Sequence, residues 1–333
     1  MIARRKKMGS NSINSVGMGR RHGKVSMLSM LLVTTLMGSF HGCVRAFSLS
    51  KTPVSQLLKQ EADTIKLLKA EASSVAPSSA EYLNDVYFLR YCLHEGFESP
   101  AARVEALKQN VKWMYGTPEG KSICEAADSA IAGAMEGGKW NNDGVLAAAP
   151  HSSTISKFIM PRNAVTTTSN TGDLVYCIRA GQIDDNALMS SVSIEEMAQF
   201  FLYCKHVNAQ VANQRSLQQD RLVCVVTAND LTGVKLVGGS GDFRKALGKA
   251  STQANDLYPT VSGPTLLLNL PKILSALVKL FTPLFPPAVR ERLKFERGPL
   301  SKVEDLTQIL PGQSDPNPRA TFVSQLDSLI YTN

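Results

Sequence analysis

Two short, almost wholly apolar runs constrain the fold of this chain more than any other feature. Arg221–Thr227 (RLVCVVT) and Pro264–Leu270 (PTLLLNL) are rich in branched aliphatic side chains and show no regular alternation of polar and apolar positions. A strand with one face in water would alternate, so these runs predict strands that are covered on both faces, as at the centre of a parallel sheet. Parallel neighbours need long crossover connections, usually helices. The sequence therefore predicts a mostly parallel α/β sheet with flanking helices.

The segments around these runs repeat the order of strand and helix. Leu174–Arg179 (LVYCIR) predicts an earlier strand, and residues 293–296 predict a short later one. Between the strands, the spacing of apolar residues predicts helices over 193–215 and over Asp242–Leu257. This alternation is typical of an α/β domain.

The residues that precede the predicted sheet have a helical pattern. Apolar side chains recur at helical spacing over 53–136, and Ser99-Pro100 offers an N-cap followed by proline in the first turn. Gly137-Gly138 ends the last of these helices. The predicted divisions are a leader at 1–46, a transit-like or helical extension at 47–79, an all-helical subdomain at 80–136, a linker at 137–155, the α/β domain at 156–315 and a C-terminal helix at 316–333.

The net charge of +8 comes entirely from the leader. Residues 1–46 hold eight of the 36 basic residues and no acidic one, which leaves 28 basic and 28 acidic residues in 47–333. A nucleic-acid-binding body would carry a basic excess of its own. The charge distribution therefore argues against a nucleic-acid partner.

The leader has the order of a signal peptide with a long basic segment. Met27–Phe40 is a run of 14 small or apolar residues, shorter than the roughly 20 that a membrane-spanning helix needs. Small or apolar residues at the −3 and −1 positions predict a cut after Ala46, which would leave Phe47 first. A signal peptide followed by Phe and a Ser/Lys-rich stretch resembles the bipartite plastid presequences of algae with secondary red plastids. The resemblance implies a plastid location; the alternatives are the endoplasmic reticulum or secretory pathway, or an uncleaved anchor.

Local motifs for catalysis and for metal or cofactor binding are absent from the sequence. It contains no G-x-S-x-G, H-E-x-x-H, G-x-G-x-x-G or G-x-x-x-x-G-K-[ST] motif. Gly238–Gly241 is interpreted as a flexible loop rather than a phosphate site, and Asp184-Asp185 as a solvated turn. The five cysteines after Ala46 form no CxxC pair and predict buried free thiols. We therefore expect no enzymatic activity, no metal and no cofactor, although a hydrolase site assembled from distant residues is a remote alternative.

The segment Asn255–Glu296 carries the strongest signal for function. Tyr258-Pro259 ends a helix, the apolar strand ends in Asn269-Leu270-Pro271, and an apolar helix interrupted by prolines follows before a basic helix. This order is similar to the core of the CRAL-TRIO lipid-binding family, which includes phosphatidylinositol transfer, retinaldehyde-binding and tocopherol transfer proteins. Asp230-Leu231-Thr232-Gly233 resembles the strand-Asp-Leu-x-Gly element of that family. The resemblance spans roughly residues 80–310.

The resemblance implies an apolar pocket closed by a gate helix over 273–285. It predicts that a hydrophobic lipid, phospholipid or isoprenoid is bound and transferred or presented at membranes; the alternative is a lipid-sensing regulatory or scaffold module. The predicted lining residues are Val223, Val225, Leu266, Leu268, Leu277, Phe281, Phe285 and Val289.

A second set of residues is predicted to meet a headgroup or the membrane. Segment 272–297 holds six basic and two acidic residues, which suits peripheral contact with anionic membrane. Phosphatidylinositol-binding members carry Glu, Thr and Lys where this chain has Thr260, Val289 and Arg292, so we do not expect inositol recognition. The protein is expected to be a monomer. The residues in this set are Arg90, Thr260, Lys272, Lys279, Arg290, Arg292 and Lys294.

Overall fold

The computed structural model describes residues 52–76, 82–134, 142–160, 164–168, 174–234, 239–272 and 293–302. Its α-helices are α1 Val54–Gln60, α2 Ala62–Ser73, α3 Asp85–Leu93, α4 Pro100–Gly116, α5 Pro118–Ala134, α6 Asn142–Ala147, α7 Ser152–Ile155, α8 Asp185–Met189, α9 Ile194–Gln219 and α10 Gly241–Leu257. Its strands are β1 Ala164–Thr168, β2 Leu174–Arg179, β3 Val225–Asp230, β4 Ser262–Leu268 and β5 Leu293–Phe295. Short 3₁₀ turns cover Ala180–Gln182 and Leu300–Lys302.

The helices before the sheet begin where the sequence supplies caps. Asn84 accepts a hydrogen bond from the Tyr87 amide at the start of α3, and Ser99 caps α4 ahead of its first-turn proline. The prediction of helices over 53–136 is confirmed for its described residues. The predicted linker at 137–155 is corrected, because α6 and α7 lie within it.

Helices α1 and α2 are part of the folded body. Val54 and Leu57 of α1 and Leu68 of α2 are buried in the same hydrophobic cluster as α3 and α9. The Asp220 carboxylate accepts hydrogen bonds from the amide and hydroxyl of Ser55, at 2.6 and 2.8 Å. Residues 52–76 therefore form a helical extension of the core.

The sheet has the order β1-β2-β3-β4-β5, with β1 antiparallel to β2 and all other pairs parallel. This confirms the predicted mixed α/β fold with a mostly parallel sheet flanked by helices. Strand β3 begins at Val225 rather than at Arg221. Arg221 instead forms an isolated antiparallel bridge with Pro53, so the start of the predicted strand pairs outside the sheet.

Helix α9 crosses the core and packs on α10 and α5, and its start is closed by a capping box between Ser193 and Glu196. His206, in the middle of α9, is fully buried. Its Nδ1 lies 3.0 Å from the Tyr258 hydroxyl, and its ring contacts the edge of Tyr82. The side chain of Gln210 lies beside its other nitrogen. Burial lowers the pKa of His206 from 6.5 to about 3, so the folded protein holds this imidazole neutral.

Because burial lowers the pKa of His206, we expect the protein to lose stability in mild acid. The unfolded chain protonates this side chain below its pKa of 6.5, whereas the folded protein does not do so until about pH 3. Protonation therefore favours the unfolded chain across this window. Between pH 7 and pH 5 we expect His206 to remove about 2 kcal/mol from the free energy of unfolding.

Urea unfolding of the wild type and of His206→Gln at both pH values measures this contribution. Gln does not titrate and keeps hydrogen-bonding groups near Tyr258, so the variant should lose about 2 kcal/mol less than the wild type over the same interval. Equal pH dependence in the two proteins would contradict the assignment.

Candidate functional site

The register of the parallel strands defines a helix-side face of the sheet. Residues paired across parallel strands project to the same side, and α9 and α10 cover the part of this face that β2 and the start of β3 supply. Two sets of residues on this face are in register across the four strands. The first set is Tyr176, Thr227, Thr265 and Leu293, and the second is Ile178, Asn229, Leu267 and Phe295.

Two hydrophobic clusters occupy opposite ends of the helix-side face. The first contains Tyr176, Ile178 and the side chains of α9 and α10. The second, which we call the edge cluster, lies at β4 and β5. Its members are Leu231, Leu267, Leu270 and Leu293, with Val234 and Phe295 packed against them.

A polar row lies between the two clusters. It consists of Thr227, Asn229 and Thr265, of which Asn229 and Thr265 are buried and Thr227 is half-buried. The Asn229 Nδ2 atom is buried and has no hydrogen-bond partner among the described residues. An apolar surface interrupted by a few polar groups is the usual character of a small-molecule site.

The opposite face of the sheet is also buried but has a different composition. Its side chains are aliphatic or small and belong to neither of the two clusters. They are Val175, Cys177, Val226, Ala228, Leu266 and Leu268.

This division of faces corrects the predicted set of lining residues. Val223 and Val225 lie in the cluster backed by α9 and α10, whereas Leu266 and Leu268 belong to the opposite face. The four side chains therefore cannot line one pocket. The physical reason is the two-residue period of a strand, which a wholly apolar run does not reveal.

The Asp-Leu-x-Gly element forms a closed polar cluster where β2, β3 and β4 end. The Asp230 Oδ1 accepts hydrogen bonds from the amide and hydroxyl of Thr232 and from Asn269, and Oδ2 pairs with Arg179 at 3.2 Å. Gly181 approaches the Thr232 carbonyl so closely that a Cβ would lie 2.2 Å from its oxygen. The cluster ties three strand ends together, and the paired Asp230 carboxylate is not arranged as a catalytic acid or base.

Arg90, predicted to meet a headgroup or membrane, is a buried structural residue that is only 1% exposed. Its Nε donates to Asn213 at 2.6 Å, Nη1 to the Thr260 carbonyl at 2.9 Å and Nη2 to the Val223 carbonyl at 2.7 Å. The prediction for Arg90 is therefore wrong. The sequence did hold a signal for burial, since Arg90 shares the apolar helical face of Val86.

Thr260 also belongs to this interior contact. Its φ of 58° is unusual for a β-branched residue, it is buried, and its carbonyl accepts from Arg90. Because Thr260 is buried, the predicted membrane contact is wrong for this residue, and its headgroup contact stays a prediction. Both residues hold the helical subdomain against the loop that leads into β4.

The remaining predicted residues divide into exposed lysines and a segment outside the described residues. Lys272 and Lys294 are exposed, as membrane contact would require. The residues that lie outside the described part of the chain are Leu277, Phe281, Phe285, Val289, Lys279, Arg290 and Arg292.

The carboxylate of Asp185 lies at the glycine-containing turn before α10. The Asp185 Oδ2 accepts a hydrogen bond from the Ser240 amide at 2.8 Å and would lie 3.0 Å from a Cβ at Gly239. A carboxylate of the protein thus occupies the position at the helix start where a phosphate would bind. Asp184 caps α8 through the Ala187 amide, so both carboxylates of the predicted turn have structural contacts.

The cysteines and other potential metal ligands are dispersed. Within the described ranges, no three His, Cys, Asp or Glu side chains are placed to hold a metal ion. Cys92, Cys124, Cys177 and Cys204 are buried thiols, as predicted, and Cys224 is half-buried. Burial raises the pKa of Cys204 to about 12, which keeps this thiol protonated and unreactive. None of the helices in the described part of the chain is long and apolar enough to span a bilayer.

Part of the chain matches a known protein family. Residues 165–313 match the family model of the CRAL/TRIO domain. The chain carries a CRAL/TRIO domain. Among solved structures, the crystal structure of Sfh5 matches with a TM-score of 0.41 at 11% identity, over 82% of this chain and 96% of that chain. No curated protein matches the chain by sequence. Strands β2 to β5, the polar row and the edge cluster all lie in the CRAL/TRIO domain.

The effect of an Arg90 substitution on the free energy of unfolding distinguishes a structural role from a headgroup role. Arg90→Met leaves the carbonyls of Val223 and Thr260 and the Asn213 amide oxygen buried without this donor. We expect the free energy of unfolding to fall by about 3–5 kcal/mol. The measurement is urea unfolding of purified protein. The exposed Lys66→Met, also a basic-to-Met change on a helix, should alter stability by less than about 0.5 kcal/mol. An Arg90→Met protein as stable as the Lys66 control would contradict the structural role.

Proposed function

We propose that this protein binds a hydrophobic lipid or isoprenoid between the helix-side face of its CRAL/TRIO sheet and a gate helix, and transfers or presents it at membranes. A CRAL/TRIO domain places the chain generally among lipid-binding and lipid-transfer proteins. The finer statement rests on the arrangement of the crossovers. No catalytic step is part of the proposal.

The crossover arrangement is the observation that carries the proposal. Strands β2, β3, β4 and β5 are adjacent, parallel and in chain order, so each connection steps in the same direction across the sheet. Right-handed crossovers in one direction lie on one face, and α9 and α10 do so. We propose that the gate segment 273–285, which belongs to the connection between β4 and β5 and lies outside the described residues, closes the site over the polar row and the edge cluster.

This connection contains the apolar residues that we propose as the gate. Leu277, Phe281 and Phe285 come from it, with Val289 nearer to β5. The edge cluster would form the other wall of the ligand site. Every apolar side chain that the ligand covers adds favourable burial at roughly 25 cal/mol per Å². We therefore propose that an apolar ligand packs against the buried edge cluster.

Basic residues at the ends of the same connection suit a membrane surface. Lys272 and Lys294 are exposed next to it, and Lys279 and Arg290 lie within it. Each basic side chain near an anionic surface contributes about 1 kcal/mol. We propose that docking through this segment brings the gate to the bilayer.

Reversing two charges tests the docking model. Lys279→Glu combined with Arg290→Glu should weaken binding to vesicles that contain 30% phosphatidylserine by more than about tenfold, because two attractive charges become repulsive. Cosedimentation at two salt concentrations measures the binding, and added salt should weaken the wild-type interaction.

The matched control reverses two exposed lysines of the helical region, Lys66→Glu and Lys112→Glu. This variant has the same net charge as the test variant and should bind almost as the wild type does, apart from a small non-local effect. If both double variants bound equally, net charge rather than the gate segment would explain the attraction.

Lipid occupancy and lipid movement separate the two functions that the sequence leaves open. Mass spectrometry of purified protein should find a co-purifying lipid at close to one molecule per chain, because transfer of an apolar ligand from water to an apolar site is favourable. Transfer of that lipid between donor and acceptor vesicles should then exceed the protein-free rate. Occupancy without transfer would support a lipid-sensing module instead, and absence of lipid would count against both.

For location, we propose plastid targeting through a signal peptide cut after Ala46. Among the described residues, the hydrophobic core begins at Val54, so this cut leaves α1 intact. N-terminal sequencing of the protein isolated from its source should therefore begin between residues 47 and 53. A start within α2 would contradict the proposed processing, because it would remove buried core residues such as Leu57.

A further inference from the structure

We propose that Asn229 recognises an uncharged oxygen atom on the ligand, so that the protein selects oxygenated lipids over pure hydrocarbons. This inference rests on the proposed function and names the class of ligand for the same site. The proposal places the Asn229 hydrogen-bond donor between two apolar clusters.

The position of Asn229 is the first support. In register across the helix-side face, Asn229 lies between Ile178 on β2 and Leu267 on β4. Both neighbours are apolar and offer no side-chain acceptor. Ile178 belongs to the cluster backed by α9 and α10, and Leu267 belongs to the edge cluster. The carboxamide therefore lies at the boundary between the two, where the proposed ligand crosses the sheet.

The unused donor is the second support. Asn229 is 8% exposed, and its Nδ2 has no hydrogen-bond partner among the described residues. Buried polar atoms in native proteins are almost always hydrogen-bonded, so an orphaned donor needs an explanation. A ligand oxygen would supply the missing acceptor.

The surroundings define the chemistry of that oxygen. The other polar residues of the row, Thr227 and Thr265, are uncharged. The nearby Asp230 points to the opposite face and is already paired with Arg179. A charged headgroup would meet no counter-ion in this row. The matching ligand is a long apolar molecule with a neutral carbonyl, ether, ester or hydroxyl oxygen.

A pair of probes that differ only in one acceptor tests the proposal. Heptadecane and heptadecan-9-one have the same chain length, and the ketone can only accept a hydrogen bond. Each would compete with a fluorescent lipid bound to delipidated, full-length protein. Because an unpaired buried donor is costly, the ketone should bind the wild type about tenfold more tightly than the alkane.

Two variants locate the effect. Asn229→Leu has a similar shape without the donor and should reduce the preference for the ketone below about twofold. Thr265→Val removes a hydroxyl of the same row at nearly equal volume and tests whether the threonine, rather than Asn229, contacts the ketone oxygen. Removal of an unsatisfied buried amide should also raise the thermal midpoint of the ligand-free protein, by about 2–4 °C. A residue with a purely structural hydrogen bond would give the opposite shift.

The outcomes distinguish this inference from the proposed function. Equal binding of ketone and alkane by the wild type would overturn the role of Asn229 while leaving lipid binding intact. Failure of the fluorescent lipid and both probes to bind would overturn both proposals. A preference that Asn229→Leu retains and Thr265→Val loses would assign the contact to the threonine and contradict our inference.

Discussion

The guanidinium of Arg90 links the helical subdomain to the points where two strands begin. From α3 it donates to the carbonyls of Val223, just before β3, and of Thr260, just before β4. Its Nε donates to Asn213 of α9, which crosses the core between them. This single buried side chain thus connects α3 with the crossover helix α9 and with the residues just before β3 and β4. Burying a cation is unfavourable unless its donors are satisfied, so these contacts are costly to remove one at a time.

The relative placement of β3 and β4 decides which side chains share a face. A slip of one residue would exchange the two faces of a strand. In the observed register, Thr227, Asn229 and Thr265 lie on the helix-side face, and Leu266 and Leu268 lie on the other. At the far ends of the strands, Asp230 repeats the role of Arg90 by joining Arg179, Thr232 and Asn269. The candidate site lies between these two polar contacts.

Sequence patterns predicted the structure correctly where hydrophobic periodicity or a local capping rule was enough to determine it. Wholly apolar runs predicted central parallel strands, and the N-caps and helical spacing predicted the helices. The errors share a cause, since they concern side chains whose partners are distant in sequence. Arg90 was predicted to meet a headgroup or the membrane, although it lies on an apolar face of its helix. Val223 and Val225 were grouped with Leu266 and Leu268 because a run without alternation does not reveal which side chains face the helices.

By itself, the sequence determined the class of fold, the neutral charge of the body, the absence of local catalytic motifs and the order of elements that resembles the CRAL-TRIO family. These properties depend on composition and on neighbours within a few residues. Only the tertiary structure decided that Arg90 and Thr260 are interior and that Asp185 fills the anion position at α10. It also decided that Asn229 lies between two apolar clusters with a donor that no described residue accepts. Each of these depends on contacts between residues tens of positions apart, where strand register and helix packing, rather than local preference, determine which atoms meet.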